Sequence, residues 1–403
     1  VEKVNVGLGV GTLTNGLHHI LVKDPRVIQA RTPRYNIQLS RYLKLNEHNY
    51  FHAIDHVYRE MSAAPDQPTV MKGLNAAQQG AAIAAKWMAY AHPMGIRLDA
   101  KRFDQHVSTL MLKYEHTFYV KAAGRMCCTA AEKKQLRRLL GMQLVNRCLG
   151  RCADGTLRYT VAGNRMSGDS NTGLGNVIIM CAIMHAFLKY IREELIKGGR
   201  ANVKFDLVNN GDDCSIICEH EYHEFVISRI DAFFLRFGFE LDVEGLALRL
   251  ENLKFCQSHP IWTPTGYVMV RHAQTAVAKD SINLGQVRGL HDFDAWREAI
   301  SGCGVALCSG IPVMQAYYVG LGRNTAYRRK NVYNTGMEFL AHGMATKVSP
   351  IHPMTRVSFF DAFGIPPRLQ VELETHYDTL NHTYVPSHAP NCSGVCGYGD
   401  LPY

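Results

Sequence analysis

The sequence predicts an α+β chain. Two observations carry that reading. Strand-like stretches gather in the middle of the 403 residues, at 95–99, 203–208, 214–218 and 267–271. Helical patterns surround them, and from residue 284 onward the pattern is mostly helical. The composition, 47% hydrophobic and 20% charged, is ordinary for a globular protein and excludes a disordered or fibrous chain. The length suggests two or three subdomains.

Taken in order, residues 5–16 are Gly-rich and read as a mobile loop. Their Gly spacing lacks the strand–turn–helix setting of a dinucleotide fingerprint. Residues 40–61 read as one helix, with Tyr50, Phe51, Ile54, Val57, Tyr58 and Met61 on an apolar face. His48, His52 and His56 step by four along the opposite face and are expected to be solvated. Residues 76–91 form an Ala-rich helix, 130–149 a basic helix and 171–195 a long apolar helix. The two β runs 203–208 and 214–218 flank Asn209-Asn210-Gly211-Asp212-Asp213, a hairpin signal. An amphipathic helix follows at 221–237, Pro residues break the pattern around 350–367, and a loose tail starts near 386.

The net charge of +9 is not spread evenly. Residues 23–44 carry Lys23, Arg26, Arg31, Arg34, Arg41 and Lys44 against Asp24, a net +5, and residues 121–152 carry +7. The remainder is therefore net −3. Clustered Arg and Lys suit a polyanion such as a nucleic acid backbone, although charge alone also allows a solvated face. The twelve Cys are too few for a disulfide scaffold. They read as reduced core thiols. The chain starts at Val1, shows no signal peptide, and its strongest apolar run, 177–188, is short for a membrane span and holds His185. It reads as a soluble piece of a longer chain.

The most informative point is Gly211-Asp212-Asp213. Two adjacent carboxylates at a tight turn repel each other unless a cation lies between them, and magnesium favours one or two carboxylates plus phosphate oxygens. Asp99 ends a predicted strand and Asp104 follows it. A strand-end carboxylate from a distant segment can complete a two-metal site, which suits in-line phosphoryl transfer. A third segment runs from Ser167-Gly168 to Asn176. Thr172 and Asn176 are four apart, so a hydroxyl and an amide share one helix face and suit ribose reading.

The three segments occur in the order Asp99…Asp104, Ser167-Gly168…Thr172…Asn176, Gly211-Asp212-Asp213, with 68 residues from Asp99 to Ser167 and 45 from Ser167 to Asp212. This resembles palm motifs A, B and C of RNA-dependent RNA polymerases from positive-strand RNA viruses. The detail looks like the tombusvirus and umbravirus group of plant-virus replicases. Residues 25–35 resemble its motif F, and Phe255-Cys256-Gln257-Ser258 its motif E. The resemblance implies a right hand of fingers, a palm with an antiparallel sheet, and a mainly helical thumb. Fingers would comprise 1–94 and 109–165, palm 95–108 and 166–258, and thumb and C-terminal tail 259–403.

Roles carried over by the resemblance are as follows. Asp99, Asp212 and Asp213 would hold two magnesium ions, with manganese able to substitute. Asp104, Thr172 and Asn176 would select the ribose 2′-hydroxyl, and Ser167 and Gly168 would form a template-advancing hinge. Lys23, Arg26, Arg31 and Arg34 would line the nucleotide path, and Phe255, Cys256 and Gln257 would lie near the primer. The implied partners are RNA template, nascent RNA, NTPs and a viral auxiliary replication protein. The implied place is host cytoplasm at membrane-associated replication complexes, with membrane contact only indirect. Such enzymes often carry a proton-donating Lys in motif D, but residues 220–252 contain none. A reverse transcriptase and a non-catalytic RNA-binding protein are the alternatives.

Overall fold

The computed structural model describes residue 29 and residues 31–125, 128–152, 155–283, 287–325 and 337–383, plus the backbone of four short strands ahead of them. Those strands are β1 (Glu2–Lys3), β2 (Gly9–Thr12), β3 (His18–Leu21) and β4 (Arg26–Val27). β2 pairs antiparallel with β3 and β1 with β4. Residues 9–12, expected in a loop, are therefore strand: Gly does not prevent extended pairing.

Thr32 caps α1 (Pro33–Leu43), and Pro33 sits at the first helical position, where its missing N–H costs nothing. A 3₁₀ turn, Lys44–Asn46, then separates α1 from α2 (Glu47–Tyr58). The single helix expected over 40–61 is thus two pieces. The turn re-aims the chain so that Tyr35, Leu39, Tyr42 and Leu43 on one piece, and Phe51 and Tyr58 on the other, are all buried. Val57 stays exposed, as do His48, His52 and His56. An Asn75–Gln78 capping box starts α3 (Ala76–Met88).

Strand β5 (Pro93–Ala100) leads through Arg102, in the left-handed region at φ 48°, into the short α4 (Phe103–His106). Helix α5 (Thr109–Arg125) follows, then α6 (Ala130–Gly141), opened by a Thr129–Glu132 capping box. The basic helix expected to reach residue 149 stops at Gly141. The chain then forms β6 (Val145–Cys152), which pairs with β7 (Gly155–Ala162) in a hairpin. Helix α7 (Thr172–Lys197) precedes β8 (Phe205–Asn210) and β9 (Asp213–Glu219). Then come α8 (His223–Leu235), β10 (Leu241–Ala247), β11 (Ser258–Thr263) and β12 (Gly266–Arg271). The rest is helical: α9 (Ala273–Asp280), α10 (Leu290–Leu307), α11 (Met314–Leu321), α12 (Glu338–Ala341), α13 (Pro353–Phe363) and α14 (Pro367–Thr379).

The central sheet has the order β10-β5-β9-β8, antiparallel throughout. The expected α+β class holds. Period-two alternation sends Leu207 and Ile216 to one face and Val208 and Ile217 to the other. The first face packs on α7 and α8, the second on α3, the β11–β12 hairpin and the C-terminal helices. β8 and β9 therefore carry apolar side chains on both faces, with the polar Asp206, Asn209 and Ser215 buried among them. Helix α7 is long and apolar enough to span a bilayer by length and composition. Most of its apolar window is buried inside the protein, so its hydrophobicity is explained by the core. His185 stacks edge-on against Tyr58, ring centroids 5.4 Å apart. The eight Cys whose side chains are described are free thiols, and Cys392 and Cys396 lie outside the described residues.

Candidate active site

The β8–β9 hairpin builds the tip of the site. Gly211 has φ +95°, which the first residue of a two-residue hairpin turn favours and which a side chain would strain. Asn209 is fully buried and clasps that turn: its Nδ2 donates to Gly211 O at 2.8 Å, and its Oδ1 accepts from Gly211 N at 3.1 Å. Behind it, the segment after α2 runs alongside β8. Met71 N donates to Asn209 O, and Asn209 N to Thr69 O. The turn that carries Asp212 and Asp213 is thus anchored on two sides.

Asp99 arrives on β5. The β5–β9 ladder pairs Leu98 with Cys214, so the next step along each strand brings Asp99 and Asp213 side by side at the sheet's end. On its other flank Asp99 pairs with Asp242 of β10, whose carboxylate is 2.8 Å from Lys101 Nζ. The carboxylates feel one another. Burial raises the proton affinity of Asp213, and the charges of Asp212, Asp99 and Glu244 raise it further. A hydrogen bond from Cys256 works in the opposite sense. Asp213 reaches solvent, but enough protein surrounds its carboxyl for desolvation to lead these causes.

Among the described residues no three His, Cys, Asp or Glu side chains stand close enough to hold a metal as they are. The donor chemistry nonetheless fits a hard divalent cation: hard carboxylate oxygens on two strands and a turn, mutually repelling. Magnesium keeps several waters and needs few protein ligands.

Asp104 lies in α4, which the chain enters through the left-handed Arg102. Asn176, on the first turns of α7, donates from Nδ2 to Asp104 Oδ1 at 2.9 Å. Asn176 also borders the hairpin: a Cβ placed on Gly211 would lie 3.8 Å from its Cβ. Thr172, expected on the same face, directs its hydroxyl to Met166 O at 3.0 Å. Ser167 is exposed. Gly168 is held through both backbone groups, its N–H by Gln29 O at 2.9 Å and its carbonyl by Asn36 Nδ2 at 3.0 Å.

Of the four cations expected along a nucleotide path, Lys23 lies outside the described residues, and Arg26 is described only as part of β4. Arg34 is exposed. Arg31 instead forms a 2.7 Å ion pair with the buried Asp169 and hydrogen-bonds Asn146. Burial pushes the Asp169 carboxyl up, and Arg31 opposes that. Gln143 completes the contact, donating to Asp169 at 2.9 Å and to Asn171 at 2.8 Å.

Phe255 is buried in the second core, so Cys256 and the exposed Gln257 are what this segment presents. Both have positive φ, 48° and 60°, and together make a two-residue turn closed by reciprocal Phe255–Ser258 backbone bonds. Asn210 Nδ2 donates to Cys256 Sγ at 3.2 Å, tying this turn to the carboxylate hairpin. Burial pushes the Cys256 thiol up to about 12, so it remains a neutral donor.

Sequence reasoning missed several residues here. Lys72 reaches Asn210 Oδ1 at 3.3 Å, and Glu115 pairs with Arg165 deep in the protein. Arg165 adjoins the Ser167-Gly168 segment, but Glu115 sits mid-helix without any local signal. Gly175 is explained by them: a Cβ there would lie 2.4 Å from both Arg165 Nη2 and Glu115 Oε1.

A strand-borne carboxylate, a hairpin carrying two more, and an amide–carboxylate pair stand beside one another at one end of the central sheet. The chain belongs to the viral RNA-dependent RNA polymerases: that family's model, described as viral RNA dependent RNA polymerase, matches residues 18–384. It is 39% identical to the RNA-directed RNA polymerase of Tobacco necrosis virus (strain A), over 88% of this chain and 46% of that protein. It is 38% identical to the RNA-directed RNA polymerase of Melon necrotic spot virus, over 92% and 45%. To that of Turnip crinkle virus it is also 38% identical, over 88% and 43%. The chain thus spans less than half the length of these relatives.

Proposed function

We propose that the chain is the polymerase part of a viral replicase and makes RNA on an RNA template from NTPs. The observation that carries this is the meeting of Asp99 and Asp213 at one sheet end, with the Asp104–Asn176 pair beside the same turn. A primer 3′-hydroxyl attacks the α-phosphate of the NTP, the new phosphodiester bond forms, and pyrophosphate leaves. Asp99, Asp212 and Asp213 would hold magnesium, with manganese able to take its place. Bound there, a divalent cation would supply charge neutralisation at the transferring phosphate and would lower the proton affinity of the 3′-hydroxyl.

The chain's own residues position the reactants, which is most of the work in phosphoryl transfer. Asp104 and Asn176 meet the ribose 2′-hydroxyl, with Thr172 stabilising the turn that leads into α7. Ser167 and Gly168 flank the templating base, Cys256 and Gln257 the primer, and Lys23, Arg26 and Arg34 the triphosphate. Arg31 acts by fixing the loop that carries Ser167 and Gly168. Base pairing supplies sequence choice, so the protein needs only backbone and shape contacts. The central sheet is the palm, α1 to α3 and residues 109–165 belong to fingers, and α9 to α14 form the thumb. The reading extends to RNA, NTPs and an auxiliary viral replication protein as partners, at membrane-associated replication complexes in the host cytoplasm.

The test supplies an RNA template, NTPs and magnesium. Complementary RNA that disappears in Asp212→Ala supports the reading. RNA binding with strong salt dependence and no product favours a binding protein. Equal use of dNTPs favours a reverse transcriptase.

A further inference from the structure

The polymerase reading leaves open how the ribose-facing amide is kept the right way round, and the inference below rests on that reading. Asn176 accepts at Oδ1 from Arg165 Nε at 3.0 Å and donates from Nδ2 to Asp104 Oδ1 at 2.9 Å. A guanidinium only donates and an ionised carboxylate only accepts. Only one amide orientation satisfies both neighbours. The flipped amide would set its NH₂ against a cation and its carbonyl against an anion.

Arg165 is in turn fixed from behind. Its guanidinium pairs with Glu115, and the two side chains are 1% and 0% exposed. Tyr119 OH and Asn171 Nδ2 donate to the same Glu115 Oε1 at 2.6 and 3.0 Å. The Arg165 backbone N–H donates to Asp104 O at 2.7 Å, so one residue holds both members of the ribose pair. Burial works against the Arg165 charge, and Glu115, together with Tyr119 and Asp104, more than restores it.

We infer that the buried Arg165–Glu115 pair sets sugar selection: it locks the Asn176 amide so that Nδ2 faces the nucleotide's 2′-position beside Asp104. A ribose hydroxyl then meets a donor on Asn176 and an acceptor on Asp104. A site built to bond a hydroxyl discriminates strongly against an analogue lacking it. When the lock loosens, the amide turns, its carbonyl replaces the donor, and selection falls. Arg165 and Glu115 are positioning residues, because Asn176 and Asp104 stand between them and the sugar.

The test is primer extension on RNA by the whole chain, read as the ratio of kcat/KM for an NTP to that for its dNTP. Asn176→Ala gives the floor. Glu115→Gln and Arg165→Lys are expected to lower the ratio by about tenfold or more. Tyr119→Phe removes one bond to Glu115, keeps the ring, and is expected to lower it about two- to fivefold. Thermal melts of each variant report folding separately. In the Asn176→Ala background, Glu115→Gln is expected to change the ratio little, since the amide it orients is gone. Folded Glu115→Gln or Tyr119→Phe protein that keeps the parental ratio overturns the inference, as does an equal effect of Glu115→Gln with and without the amide. If the unsubstituted chain makes no RNA, the polymerase reading fails and takes this inference with it. If it makes RNA with undiminished ribose preference in Glu115→Gln, only the inference falls.

Discussion

Lys86 reaches Asp206 at 2.8 Å, with side chains 1% and 0% exposed. Asp206 also accepts from Tyr90 OH and Ala63 N, both at 2.9 Å, and from Ser62. This one carboxylate joins α3 and the loop after α2 to β8, the strand that leads into the carboxylate hairpin. Removing one partner leaves the other charged and buried. Lys86→Met is expected to destabilise the fold by about 3–5 kcal/mol, with Lys86→Met/Asp206→Asn recovering part of it. Urea unfolding of both variants checks this.

Gly175 admits the Arg165–Glu115 pair past α7. Gly175→Ala pushes a methyl into atoms that have no room to retreat. A loss of about 1–3 kcal/mol is expected despite the better helix propensity of Ala. Thermal melts comparing it with Gly141→Ala, where nothing lies within 4 Å, separate crowding from propensity.

His259 gives a pH dependence. Burial lowers its pKa to about 4, and its Nδ1 lies 2.8 Å from Glu251 O. The unfolded chain takes up a proton near the ordinary value of about 6.5, the folded chain only near 4. Stability from this group is therefore present above about 6.5 and lost as pH falls toward 4. Between pH 7 and 5 the loss is expected to be about 2 kcal/mol. His259→Gln should remove that slope, read as the difference between parent and variant unfolding curves.

Arg31 tests two roles against each other. Paired with Asp169, it stabilises the loop holding Ser167 and Gly168. Arg31→Met is expected to weaken the fold by about 2–4 kcal/mol, and adding Asp169→Asn to restore part of it. Hydrogen exchange at residues 167–171 should speed up in the single variant. A purely triphosphate-binding Arg31 would raise KM for NTP and leave both measurements unchanged.

How legible the protein was depended on the range of the signal. The Gly211-Asp212-Asp213 hairpin and the long α7 were readable because turn chemistry and apolar runs are local. The α6–β6 boundary was not: Val145 joins a strand only because residues 155–162 pair with it. Residues 40–61 looked like one helix because their apolar spacing continues across a 3₁₀ turn that tertiary packing imposes. Asp104 and Asn176 were legible as candidates, but their contact spans 72 residues. Glu115 carried no signal, since its importance comes wholly from what surrounds it in space.

In the proposed function, Asp99 and Asp212 serve RNA synthesis on an RNA template. The direct measurement is template-directed incorporation of NTPs by the parent and by Asp99→Asn and Asp212→Asn, each shown to be folded. That role predicts a fall of about a thousandfold or more in each variant. A folded Asp212→Asn protein that makes RNA at the parental rate would contradict it.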